Sequence, residues 1–330
     1  MSLAGITAAV TLDRSGPFAL QGAQAAAGLE HWAEEAGVRL VVANDRGSRA
    51  AAVEAYATWV QQGVELLLGP YSSGLVRAVA PAVCGAGRLL WNHGGSADDL
   101  ARPGLVSLPA PASTYFVGAV EEAAARRVDR LLVVQGRGPF ARAVADGAVA
   151  RASAAGLRAL EVAAGTLSAA DVAGAAVLAA GRFEADVALV RRVRSWPRAP
   201  ALLAAVAAGL PAFGEQLGDA AEGVLGPAQW WPSPRRPRVG PSGADFAARI
   251  RRRGGAEPSY VTAQAAAAGH LAHAAHLLDL TAAEVRRWTT STLLGAFALD
   301  AGWRQVGHQV TTVRWRDGHM VPLSPRRQRP

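Results

Sequence analysis

Short apolar runs and longer helical stretches alternate from the start of this chain, and glycines stand where several of the helical stretches stop. Residues 6–12, 38–43, 64–68 and 88–91 read as strands; residues 21–36, 48–62 and 74–84 read as helices, the first two closed by Gly37 and Gly63. Strands separated by a helix lie parallel in their sheet, so this order predicts βαβ units with helices on both faces. Past Pro109-Ala110-Pro111 the pattern restarts with helix 113–127, strand 130–134, helix 141–155, strand 158–162, helix 169–180, strand 186–190 and helix 200–208. Residues 230–241 are irregular, and helices 244–252, 260–278 and 282–288 follow. Runs at 296–299, 310–315 and 320–323 alternate as a β-ribbon does, with turns at Asp300-Ala301-Gly302 and Arg316-Asp317-Gly318.

Two of these strands break into small polar residues. Leu66-Leu67-Leu68 runs into Gly69-Pro70-Tyr71-Ser72-Ser73, and Arg88-Leu89-Leu90-Trp91 runs into Asn92-His93-Gly94-Gly95-Ser96. Such endings put hydroxyls and backbone N–H groups at the carboxyl edge of a sheet, where open α/β sheets bind ligands. Ser72, Ser73 and Ser96 also suit helix N-caps, and one residue at that edge can serve both ends. The chain therefore reads as built to hold a small molecule.

At 330 residues two domains fit better than one. No apolar run reaches the roughly 18 residues of a membrane span. The net charge is +8 and lysine is absent. The arginine clusters Arg235-Arg236-Pro237-Arg238, Arg251-Arg252-Arg253 and Arg326-Arg327 are scattered over loops, a helix end and a tail, without interleaved aromatics. That reads as solvated surface and speaks against a nucleic-acid partner. The single cysteine, Cys84, excludes an internal disulfide and sits in an apolar helical stretch as a small hydrophobe. Met1-Ser2-Leu3 leads directly into the first strand, with no secretory signal in view.

Signals for catalysis and metals fail on inspection. His270, His273 and His276 repeat at spacings of three, without the i, i+4 pair and acidic partner of a zinc helix. Gly136-Arg137-Gly138 lacks the third glycine and the acid of a dinucleotide fingerprint. No Gly-x-Ser-x-Gly occurs. Asp98-Asp99 is ordinary first-turn chemistry, and His93 has no matched nucleophile or orienting acid. The expectation is a protein without catalytic residues, metal or cofactor.

Several segments, taken in order, carry a resemblance. They are Ser15-Gly16-Pro17 after the first strand, Asn44-Asp45 after the second, Gly63-Val64, Leu68-Gly69-Pro70 with Ser73, and Gly94-Gly95-Ser96. Farther on come Ala221-Glu222-Gly223-Val224, Pro258-Ser259-Tyr260 and Gly295-Ala296-Phe297-Ala298-Leu299-Asp300. Together they resemble the type I periplasmic binding fold in its branched-chain amino acid (leucine/isoleucine/valine-binding) branch, the substrate-binding receptors of ABC transporters, over nearly the whole chain. The resemblance implies an α/β protein of two doubly wound parallel-sheet lobes joined by a multi-strand hinge. Residues 1–112 and 236–305 would form lobe 1, and residues 113–235 and 306–330 lobe 2.

It also implies a site. Ser73 would offer a hydroxyl, Gly94 backbone groups, and Ser96 a hydroxyl and an N–H to a ligand's carboxylate and amino group. Tyr71 lies in the first of these turns, and Asn92 would reach the cleft from the second. The position after Ser15-Gly16-Pro17 falls on Phe18 or Gln21, and its counterpart in lobe 2 is Phe140. The acid expected to hold an ammonium falls on Glu215. Arg191, Arg192 and Arg194, placed after the strand at 186–190, would favour a second carboxylate on the ligand. Trp230, with Trp231, would cover the ligand or pack between lobes. The implied function is a non-enzymatic solute-binding receptor that takes an amino acid or related carboxylate between its lobes by hinge closure and passes it to an ABC permease. Its place would be periplasmic or otherwise extracytoplasmic, with a lipid anchor allowed. A cytoplasmic amide or amino-acid sensor of the same fold, acting on a regulatory partner, is the alternative, favoured by the missing signal.

Overall fold

The structure is a computed structural model that describes residues 5–254 and 257–323; Met1-Ser2-Leu3 and the tail pair Arg326-Arg327 lie outside the described residues. The chain divides into two units, Met1–Pro111 with Trp230–Gln309 and Ala112–Gln229 with Val310–Pro330. The sequence expectation put the return crossings after residues 235 and 305. Trp230 belongs with the first unit because its indole N–H donates to the Leu293 carbonyl at 3.2 Å and its ring meets Phe246 edge-on. Residues 306–308 stay there too, since the N–H groups of Gly307 and His308 donate to Gln305 Oε1 at 2.8 and 3.2 Å.

The first unit opens with β1 (Thr7–Leu12), α1 (Ala19–Ala36), β2 (Arg39–Asn44), α2 (Arg49–Gln61), β3 (Leu66–Leu68), α3 (Ser73–Gly85), β4 (Leu90–Asn92) and β5 (Leu105–Ser107). Its five strands lie parallel in the order β2-β1-β3-β4-β5. β1, β3 and β4 are buried throughout, which is why they read as unbroken apolar runs and not as alternating ones. Ser48 and Ser72 cap α2 and α3, accepting from the N–H groups of Ala51 and Leu75 at 3.3 Å each. The chain winds one way from β1 to β2 and the other way from β1 to β3. The crevice that this reversal opens lies beyond the carboxyl ends of β1 and β3.

The second unit holds α4 (Val117–Ala125), β6 (Arg130–Gln135), α5 (Pro139–Ala154), β7 (Arg158–Val162), α6 (Ala169–Val172), β8 (Ala176–Ala180), α7 (Phe183–Arg194), β9 (Leu202–Ala205), α8 (Pro211–Leu217) and β10 (Leu225–Ala228). Its parallel strands run β7-β6-β8-β9-β10, repeating the order of the first unit with the reversal between β6 and β8.

The chain then returns to the first unit as α9 (Gly243–Arg252), α10 (Tyr260–Leu277), α11 (Ala282–Arg287) and the hairpin β11 (Thr290–Thr292) with β12 (Gly295–Phe297). α10 is alanine-rich and shares a core with α1, β1 and Trp91, while α2 and α3 share a separate core with Ala9, Leu67 and Leu90 on the opposite face. β13 (Thr311–Arg316) and β14 (His319–Pro322) complete the second unit, β13 pairing antiparallel with β10. No helix among the described residues is long and apolar enough to cross a membrane.

The second unit corrects three expectations. The stretch expected as helix 169–180 is a short helix followed by the buried strand β8. The expected strand 186–190 lies inside α7, and the expected helix 200–208 holds β9. Ala-Val-Leu-Ala-Ala and Leu-Leu-Ala-Ala suit a buried strand as well as a helix, and periodicity does not separate the two at that length. Phe183, Val187, Val190 and Val193 instead mark one helical face, and all four pack into the core beneath α7.

Candidate functional site

At the reversal point of the first unit, the loop after β1 is organised by Asp13. Its buried carboxylate accepts from the backbone N–H groups of Ser15, Gly16 and Phe18 at 3.1, 2.5 and 2.9 Å. That turn delivers Phe18 to the start of α1. Across the crevice, the loop after β3 delivers Tyr71, and the two rings meet edge to face with centroids 5.7 Å apart. The Tyr71 hydroxyl lies 2.8 Å from that of Tyr260, the first residue of α10. Ser72 then takes φ 96°, a left-handed value unusual for a non-glycine residue and of the kind that clusters at binding loops.

The loop after β4 locks onto this one. Tyr71 and Gly94 form a parallel bridge, and the Ser72 N–H donates to the Gly94 carbonyl at 3.3 Å. A Cβ on Gly94 would stand 2.5 Å from the Tyr71 Cα, so the two backbones approach this closely only with glycine. Gly94→Ala is expected to pry the loops apart at a cost of about 1–3 kcal/mol, read as a lowered unfolding midpoint and weaker solute binding.

Asn92 is the hub of the second loop. Fully buried, it accepts at Oδ1 from the N–H groups of Gly94 and Gly95 at 3.1 and 2.7 Å. Its Nδ2 donates to the Gly95 carbonyl and the Ser107 hydroxyl at 2.7 and 2.9 Å. Ser73 Oγ accepts from the N–H groups of Ser96 and Ala97 at 3.2 and 3.1 Å. A hydroxyl has two acceptor positions and one proton, so Ser73 retains its proton as the group to offer. The expected free N–H of Ser96 is already engaged by Ser73, and that of Gly94 by Asn92. The Ser96 side is tight as well: the cavity it shares with Ser107, Trp303 and Gln305 measures about 20 Å³, room for roughly one water.

The structure thus brings Phe18, Tyr71, Ser73, Asn92, Gly94 and Ser96 together, with Asn92 and Gly94 holding the loops in shape. Gln21 lies half-buried in the first turn of α1. Trp230 is core of the first unit, its indole N–H engaged by Leu293. Sequence reasoning missed Asp13, Ser107 and Tyr260. Asp13 had a signal, an acid two and three residues ahead of Ser15-Gly16, which is an Asx turn. Tyr260 was legible only as part of Pro258-Ser259-Tyr260. His93, next to Asn92, is fully buried, and neither ring nitrogen has a hydrogen-bond partner among the described residues; burial pushes its pKa down to about 4.

In the second unit, Phe140 stands at the start of α5, as Phe18 does at α1, and meets Tyr115 edge-on at 5.5 Å. Two expectations are corrected. Arg191, Arg192 and Arg194 lie in the last turn of α7, not after a strand, and donate to the carbonyls of Gln216, Ala164 and Ala220 respectively. Glu215 is exposed within helix α8 and not on a loop. Asp186, in the first turn of α7, is the acid that serves this edge. Its carboxylate accepts from the Ala207 N–H at 3.0 Å, and burial pushes its pKa up to about 7 against the backbone N–H groups of Ala207, Gly181 and Val206.

The family model described as periplasmic binding protein matches residues 5–319. Among solved structures, a leucine-binding protein from Thermotoga maritima superposes with TM-score 0.77 at 16% identity, covering 97% of this chain and 98% of that one. An ABC transporter substrate-binding protein from Desulfitobacterium hafniense, in complex with Leu, superposes with TM-score 0.79 at 18% identity, over 97% and 100% of the two chains. A solute-binding protein from R. palustris, in complex with benzoate, superposes with TM-score 0.72 at 14% identity, over 97% and 95%. No curated protein matches the sequence.

Proposed function

Because the chain belongs to the periplasmic binding protein family, we propose that it is the solute-binding receptor of an ABC transporter, taking a small amino acid or related carboxylate. The observation that carries this is the Ser73 hydroxyl. Its acceptor positions are filled by the second loop, its proton remains to meet a carboxylate, and Phe18 and Tyr71 stand at the same reversal point to meet an apolar body. Leucine and benzoate, held by two of the similar structures, share those two features, a carboxylate and an apolar body. In this reading Phe140 serves the same end at the edge of the second unit. The receptor works outside the cytoplasm, on a lipid anchor or free, and delivers its solute to a membrane permease.

Isothermal titration against leucine, isoleucine, benzoate and small aliphatic carboxylates tests the proposal. Ser73→Ala combined with Ser96→Ala is expected to weaken the best ligand by roughly 10–100-fold, the worth of a hydrogen bond to a charged group. Unchanged affinity in that variant overturns the site.

A further inference from the structure

We propose that Arg49 is the charged partner of the solute's carboxylate, so that the site selects an acid over its amide; this rests on the reading above that Ser73 meets that carboxylate. Arg49 opens α2, directly after the Ser48 cap. Its side chain reaches across to the first turn of α3. A Cβ built on Gly74 would lie 3.7 Å from Arg49 Nη2 and 3.9 Å from Ser72 Oγ, ordinary contact distances. Gly74 follows Ser73 in the chain, so the guanidinium lies beside the residue that retains a proton to offer.

Arg49 is exposed, and its guanidinium forms no ion pair or hydrogen bond among the described residues. Its placement is electrostatically unfavourable. The first turns of α2 and α3 contain no acid, and a helix presents the positive end of its dipole there. A cation set against two such ends without a countercharge breaks the usual rule for helix termini, and such breaks concentrate at functional sites. A carboxylate between Ser73 and Arg49 removes the conflict, and a guanidinium fork matches its two oxygens.

The acids of this edge are engaged elsewhere. Asp45, four residues ahead of Arg49, is 1% exposed and accepts from the Gly47 N–H at 2.9 Å. Asp13, also 1% exposed, is held by three backbone N–H groups. The two acids after β4 have arginines of their own: Asp99 pairs with Arg77 at 2.6 Å and Asp98 with Arg304 at 3.5 Å. Arg14 and Arg46, also without ion pairs among the described residues, lie on the loops after β1 and β2. Arg49 is the one whose guanidinium stands beside Gly74.

The test is calorimetric titration of the full chain with three acid–amide pairs: leucine and leucinamide, benzoate and benzamide, propionate and propionamide. Each is run on the parent, Arg49→Gln and Arg49→Lys. The acid of the best-bound pair is expected to bind at least about tenfold tighter than its amide. Arg49→Gln is expected to weaken that acid by about 10–100-fold, the worth of a hydrogen bond to a charged group, and the amide by less than about threefold. Arg49→Lys should recover part of the loss, since charge is kept and the fork is not. Raising the salt from about 0.05 to about 0.5 M should weaken the acid in the parent and leave the glutamine variant nearly unmoved. The unfolding midpoint of Arg49→Gln is expected to stay level or rise, because a repelled cation is removed; a merely structural role predicts a fall. If an amide binds as tightly as its acid, or the acid-to-amide ratio is the same in parent and glutamine variant, this inference fails while the receptor reading stands on its Ser73 variant. If none of the six solutes binds, both fail.

Discussion

Asn92→Ala is expected to lower the thermal unfolding midpoint by about 10 °C and to abolish measurable solute binding. The side chain is fully buried and makes four hydrogen bonds, two accepted from Gly94 and Gly95 and two donated to the Gly95 carbonyl and Ser107. Alanine leaves those groups without their side-chain partner, and the two Gly95 groups among them are buried. Each buried orphan costs about 1–3 kcal/mol, and a total near 4 kcal/mol allows for relaxation. At about 2–4 °C per kcal/mol for a body of 150–250 residues, the shift follows. Binding goes with it, because the same loop presents Ser96 and Ala97 to Ser73. A calorimetric scan showing a midpoint within about 3 °C of the parent would falsify the hub role.

His93→Leu is expected to stabilise the protein, by more as the pH falls. The imidazole is fully buried with both nitrogens unpartnered among the described residues, so leucine removes an unmet polar group worth about 1–3 kcal/mol at neutral pH. The pH dependence follows from burial, which pushes the folded pKa from 6.5 to about 4. As pH drops below 6.5 the unfolded chain takes up a proton that the folded chain refuses. Stability is therefore full above pH 6.5, falls between 6.5 and 4, and levels off below, for a total of about 3 kcal/mol. His270, pushed down to about 4, adds a loss of the same sign, whereas Asp186, pushed up to about 7, works the opposite way over this range. The quantity to measure is thus the difference between parent and variant in urea unfolding at several pH values. A difference that stays flat from pH 7 to pH 4 shows that His93 titrates normally.

Much of the first unit was legible. β1, β3 and β4 are continuous apolar runs, the helices α1 and α2 are closed by Gly37 and Gly63, α2 and α3 start after the caps Ser48 and Ser72, and the small polar residues after β3 and β4 meet at one edge. What the sequence did not reveal there is that these groups largely satisfy one another. Ser73 reads as a ligand hydroxyl, yet its acceptor positions bind the loop that carries Ser96. Trp230 reads as a cover for a ligand or as packing between lobes, and it lies in the core of the first unit. Side-chain type sets what a residue can bond to; only the neighbours that folding supplies decide what it does bond to.

The sequence by itself determined the alternation of strand and helix at the start of each unit, the β-ribbon at the end, and the carboxyl-edge turns that carry Phe18, Tyr71, Ser73 and Ser96. Tertiary structure alone decided the middle of the second unit. Ala176–Ala180 and Leu202–Ala205 are alanine-rich stretches that propensity leaves free to be helix or strand. They become strands because β6 stands beside β8, and β8 beside β9, with backbone groups that must be paired once buried. That pairing carries Arg191, Arg192 and Arg194 away to the end of a helix, where they donate to the carbonyls of Gln216, Ala164 and Ala220. Where those three charges fall was therefore a property of strand pairing, which no local stretch of residues contains.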